Sequence, residues 1–168
     1  MIVRTRNVAL AGLVVLVALF GGLQAASGED DGGFSARLTG YEEIPTLSVA
    51  GTGRFSATLH DGSISYTLSY RNLTGPAMAA HIHLGRPWVA GGVIAFLCGG
   101  GGQDPCPGAG GTVTGTIEAA DVIGPTDQGI SPGEFRELVR AMRRGATYAN
   151  VHTEAYPTGE IRGQIRGS

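Results

Sequence analysis

Arg54-Phe55-Ser56-Ala57-Thr58-Leu59-His60-Asp61-Gly62-Ser63-Ile64-Ser65-Tyr66-Thr67-Leu68-Ser69-Tyr70 decides the fold. Phe55, Ala57 and Leu59 alternate with polar neighbours before Asp61-Gly62, and Ile64, Tyr66, Leu68 and Tyr70 do so after it. Side chains two apart on a strand share a face, so each half is a strand with one apolar side. The Asp-Gly pair tolerates the positive φ of a tight turn, which makes the two halves an antiparallel hairpin facing one core.

Similar patterns recur along the chain, with Val93–Leu97 a continuous apolar run. Phe34–Leu38, Ala80–Leu84, Val93–Leu97, Thr112–Glu118, Tyr148–Thr153 and Ile161–Arg166 each read as a short strand, and glycine- or proline-rich turns separate them. On Ile161–Arg166 the alternation puts Arg162, Gln164 and Arg166 on the wet face. About eight strands of this kind predict an all-β fold, an antiparallel Greek-key-like β-sandwich or barrel. One segment has a different period. Ser131-Pro132-Gly133-Glu134 carries a capping residue, a proline and an acid at helix-start spacing, and Phe135, Leu138, Val139 and Met142 follow at intervals of three and four. This predicts one short amphipathic α-helix ended by Gly145, with Arg140, Arg143 and Arg144 in its last turn.

Composition bounds the classes of function. A chain of 168 residues has room for one sizeable core. Its net charge is −2, its 12 basic residues are all arginine, and no run of like charge recruits nucleic acid. Arg4 and Arg6 precede an apolar run from Val8 to Leu23, and small residues follow at Gln24-Ala25-Ala26-Ser27. We expect residues 1–26 to be a signal peptide, 27–33 a flexible linker and 34–168 the folded domain, acting outside the cytoplasm without a membrane span after cleavage. A retained anchor is the competing reading, although the run is shorter than the roughly 20 residues that span a bilayer. Cys98 and Cys106 bracket a glycine-rich loop and read as a disulfide, with a thiolate metal site as the alternative. Asn72-Leu73-Thr74 matches the glycosylation acceptor pattern.

His81-Ile82-His83 is the strongest chemical signal. Both imidazoles leave the strand on one side, and His152 on another strand is a third donor if the two strands are neighbours. Three imidazoles suit copper or zinc. The alternative is that these rings hydrogen-bond nearby carbonyls, Thr153 or Glu154 and brace the sheet without metal. No GxSxG, HExxH or P-loop sequence is present. The carboxylate pairs Glu42-Glu43 and Glu134/Glu137 read as solvated surface, so catalytic residues are not assigned and an enzyme is not the expectation.

Several stretches in order resemble the CHRD domain, a module repeated in the extracellular antagonist chordin and found singly in secreted bacterial proteins. They are Phe34–Gly40, Glu43-Ile44-Pro45, Gly53–Leu59, Tyr66–Tyr70, Ala80-His81-Ile82-His83-Leu84-Gly85, Tyr148–Thr153 and Pro157–Ile165. The chain departs from that pattern at Leu84-Gly85-Arg86-Pro87-Trp88, where the family has Gly-Pro-Ala, and in an expanded cysteine loop. The resemblance implies an extracellular β-sheet module that binds a protein, cell-surface or matrix partner and has no assigned reaction. The paired histidines also look like the copper-binding strand of copper,zinc superoxide dismutases, but His60 alone is left over, too little for a second, zinc site.

Overall fold

The computed structural model describes residues 32–168 and the first two residues of the chain. The expected signal peptide, and all but the end of the expected linker, lie outside the described residues; Gly33 already belongs to the first strand. The strands are β1 (Gly33–Thr39), β2 (Thr52–His60), β3 (Ser63–Arg71), β4 (Ala77–Leu84), β5 (Val93–Cys98), β6 (Gly111–Ile117), β7 (Thr147–Thr153), β8 (Ile161–Gln164) and β9 (Arg166–Gly167). Every pairing is antiparallel, in the order β5-β4-β7-β8-β1-β2-β3-β6, with β9 alongside β1.

The β2–β3 hairpin shows why this sequence settles into this register. Phe55 faces Leu68, Ala57 faces Tyr66 and Leu59 faces Ile64, so a one-residue slip would turn the buried set of the slipping strand, three side chains on β2 or four on β3, towards water. Gly62 alone supplies the positive φ of the turn, at +78°. The sheet curls until it nearly closes into a barrel, with β5 and β6 at its two ends. Tyr66 spans the seam: Gly115, opposite it on β6, has no side chain in the way, and the Tyr66 hydroxyl donates to the Leu97 carbonyl of β5 at 2.7 Å. Tyr70 donates to the Pro107 carbonyl at 2.5 Å, which ties down the loop beyond β5. Cys98 and Cys106 form the disulfide that closes that loop.

The helix, α1 (Phe135–Arg143), buries Leu138, Val139 and Met142. It starts later than the capping pattern predicts. Gly133 sits at φ +85°, which breaks the helical path, so Ser131 is not the cap. The Glu134 carboxylate still reaches back to accept the Ser131 N–H at 2.6 Å, which preserves half of the expected reciprocal pair. The C-terminus ends as read: Gly145 is left-handed at φ +59°, and Gly145 and Ala146 donate back to Met142 and Ala141.

Replacing Cys98 and Cys106 together by serine frees the seven residues between them. Loop-closure entropy sets the expected loss at about 2–3 kcal/mol, checked by urea unfolding of the variant beside the oxidised protein. An unchanged midpoint would show that the loop is held without its bridge.

Candidate metal centre

The outer face of β4, β7 and β8 is polar, yet it is buried. His83 pairs with Tyr148 and His81 with Asn150 across β4–β7, while Ala79 faces His152. Asn150 in turn faces Arg162, and Tyr148 faces Gln164, across β7–β8. Alternation therefore gathers His81, His83, Tyr148, Asn150, His152, Arg162 and Gln164 on one side, and sends Ile82, Ala149, Val151 and Ile161 into the core. Register shifts in the β4–β5 pairing flank His81 and precede His83, the local distortion that re-aims side chains next to sites.

Loops cover this face. After β4 the chain folds back on itself, with Leu84 N–H on the Gly92 carbonyl at 2.9 Å and Gly85 N–H on the Ala146 carbonyl at 2.8 Å. Arg162 donates to the carbonyls of Arg86 (3.0 Å) and Val89 (2.9 Å) in this loop, and is only 3% exposed. This corrects the wet-face assignment of Arg162. Its guanidinium lies 3.5 Å over the Tyr148 ring, and Tyr148 stacks on His83 with centroids 4.8 Å apart and planes 6° from parallel. Trp88, in the same loop, holds the uncommon φ of +67°.

The three imidazoles converge. His81 Nδ1 lies 3.0 Å from His152 Nε2, and the candidate donor nitrogens of His81, His83 and His152 lie within 4.8 Å of one another. His83 Nδ1 is 2.9 Å from the Gly91 carbonyl and His152 Nδ1 is 3.1 Å from the Pro157 carbonyl. A carbonyl only accepts, so both rings carry their proton on Nδ1 and leave Nε2 as a lone pair. His83 Nε2 is buried with no hydrogen-bond partner. Of the alternative partners expected for these rings, the nearby carbonyls are in place at Gly91 and Pro157, whereas Thr153 donates its hydroxyl to Glu160 at 2.8 Å and Glu154 is exposed. His60, at the β2–β3 turn, lies outside the cluster.

Burial sets the charge state. Desolvation, reinforced by His152 and His83, takes His81 down to about 3. Desolvation, with His152 and Arg162 adding to it against the Gly91 hydrogen bond, takes His83 down to about 4. His152 is lowered for the same leading reason, opposed by its bond to Pro157. All three imidazoles are therefore neutral at physiological pH. Tetrahedral zinc at 2.0–2.1 Å puts ligand nitrogens about 3.4 Å apart, close to the 3.0 Å His81–His152 separation in a set whose members all lie within 4.8 Å.

The sequence reading missed Glu43. It is not solvated surface: it is 5% exposed and accepts from Asn150 Nδ2 at 2.6 Å. Desolvation raises it to about 7, against the hydrogen bond from Asn150 and the nearby Arg162 charge. Its placement within Glu43-Ile44-Pro45 was visible, but nothing local announces that a loop lays this carboxyl against the sheet.

Comparison with protein-family models gives one match, the CHRD domain, over residues 34–165. No curated protein and no solved structure matches the chain significantly.

A carboxyl raised from 4.5 to about 7 contributes stability below the lower value that is lost as pH rises through the upper one. Glu43→Gln keeps an acceptor for Asn150 without a charge to bury. It should therefore stabilise the protein by about 2 kcal/mol near pH 8 and leave it little changed near pH 4.5, in denaturant melts at the two pH values.

Proposed function

Because the chain belongs to the CHRD domain family, we propose that it is an exported binding and structural module, without a reaction of its own, that holds a copper or zinc ion between His81, His83 and His152. The observation that carries the metal is the orientation of the rings. Backbone carbonyls at Gly91 and Pro157 fix the far nitrogens of His83 and His152, which aims their lone pairs inward, and His83 Nε2 has no partner without an ion. Metal-bound imidazoles are oriented by outer hydrogen bonds of this kind. Neutral nitrogen donors suit zinc and copper, and the general affinity order favours Cu(II). Three protein ligands leave a coordination position for a further group.

Export is supported by the N-terminal apolar run after Arg4 and Arg6 and by the disulfide, which persists in oxidising compartments. Among the described residues no helix is long and apolar enough to cross a membrane. A macromolecular partner is supported by the loops over the site, which expose Tyr41, Trp88 and Val89 beside Arg162 and Glu43. Large amphipathic and apolar side chains held out in water are what interfaces use.

Titrating metal-free protein with Cu(II) and Zn(II), read by calorimetry, should give one ion per chain. His81→Ala and His152→Ala should each weaken binding more than about 100-fold, while His60→Ala binds as the parent does. Equal affinity in all four proteins would remove the site. Depressed imidazole pKa values also mean that protons compete little: the affinity should hold from about pH 7.5 to about pH 5.5, where an ordinary histidine site, titrating near 6.5, loses its metal.

A further inference from the structure

The helix α1 and the β2–β3 turn enclose a groove of about 470 Å³. Leu59, Phe135 and Val139 give it an apolar floor, and Arg136, Arg140, Arg143 and Arg144 line it as well. All four arginines are exposed while Leu59 and Val139 are buried and Phe135 partly so, which leaves the charge at the rim and the apolar atoms recessed. No carboxylate lines it. This arrangement costs the helix stability. Arg136–Arg140 and Arg140–Arg144 are like-charged pairs one turn apart, and Arg136 stands in the first turn, where the helix dipole disfavours a cation. The dipole accounts for arginines at the other end of α1, but not for Arg136. Glu137 pairs with Arg140, and Arg136, Arg143 and Arg144 have no ion-pair partner among the described residues. A local rule broken without a compensating contact inside the fold points to a contact outside it.

The chemistry of the groove specifies its occupant. A guanidinium fork pairs with a carboxylate through two parallel hydrogen bonds, and the stripe from position 136 to 144 runs about 12 Å along the helix, so it selects several carboxylates spread along an extended chain. The recessed floor takes an apolar side chain between them, which a uniformly charged polymer does not carry. The protein's net charge is −2, so the surface beyond the groove repels a long polyanion, whereas a short acidic stretch meets only the arginines. We propose that the α1 groove docks an acidic peptide segment of a partner protein, with one apolar side chain seated on Leu59, Phe135 and Val139 and carboxylates on either side of it paired with Arg136, Arg143 and Arg144. The groove shares no residue with the histidine cluster, so this docking stands apart from the metal.

The probe is a pentapeptide blocked at both ends, one phenylalanine flanked on each side by two glutamates, titrated at low salt into protein purified after export. The amide resonances of Leu59, Phe135 and Val139 should move as it binds. Serine in place of its phenylalanine should weaken binding at least about 5-fold, and glutamine in place of its glutamates at least about 10-fold. A protein variant carrying Arg136→Gln, Arg143→Gln and Arg144→Gln should bind the parent peptide at least about 10-fold more weakly. Stability gives a second readout: Arg136→Gln alone should raise Tm by about 1–2 °C, because it removes the first-turn cation and one like-charged pair. A lowered Tm would make Arg136 a structural residue and overturn the proposal. So would equal affinity for the serine peptide, which marks a patch open to any polyanion, or dextran sulfate moving the three resonances while the peptide moves none.

Discussion

The covering of a polar sheet face governs this molecule. Imidazoles, a guanidinium and a carboxyl on the outside of a barrel would ordinarily be hydrated, and their geometry would be loose. Here the covering loops remove the water, and each polar group takes a backbone or side-chain partner in exchange: His83 with Gly91, His152 with Pro157, Arg162 with Arg86 and Val89, Glu43 with Asn150. Buried polar groups without such partners cost several kcal/mol, so the few left over carry information. His83 Nε2 is one of them, and it belongs to the three-histidine cluster.

Gly91 shows how tightly backbone and site are joined. A Cβ there would collide with the Leu84 carbonyl, so the loop closes on β4 only with glycine at this position. The same residue gives its carbonyl to His83 and its N–H to the Tyr148 hydroxyl at 3.2 Å. The stack Arg162–Tyr148–His83 then places a fixed positive charge near an imidazole that must stay neutral, and Arg162 is among the causes of its lowered pKa. Inside the barrel the division of labour is simpler, because Ile82, Val151 and Ile161 alternate with these polar residues and serve only the core.

Much of this was legible in the residues. Period-two alternation, with a continuous apolar run for β5, pointed to the strands of the main sheet, Asp61-Gly62 placed the hairpin, and His152 meets His81 and His83 because the condition the sequence left open holds: β4 and β7 are neighbours. Alternation tells which side a residue takes, however, and not whether that side is wet. Arg162 was assigned to the correct face and the wrong environment, since the cover comes from a loop some seventy-five residues away in the chain. Glu43 was lost for the same reason. The helix start shifted because Gly133 adopted a left-handed conformation that the capping pattern does not encode. Local signals carried the scaffold; the site's burial is a tertiary fact.

The account rests on neutral, carbonyl-pinned imidazoles, and long-range proton–nitrogen NMR of the histidine rings in metal-free protein reads that directly. At about pH 6 it should show His83 and His152 as neutral rings protonated on Nδ1, with His81 also uncharged. Imidazolium signals from these rings, or protons found on Nε2 of His83 and His152, would contradict it.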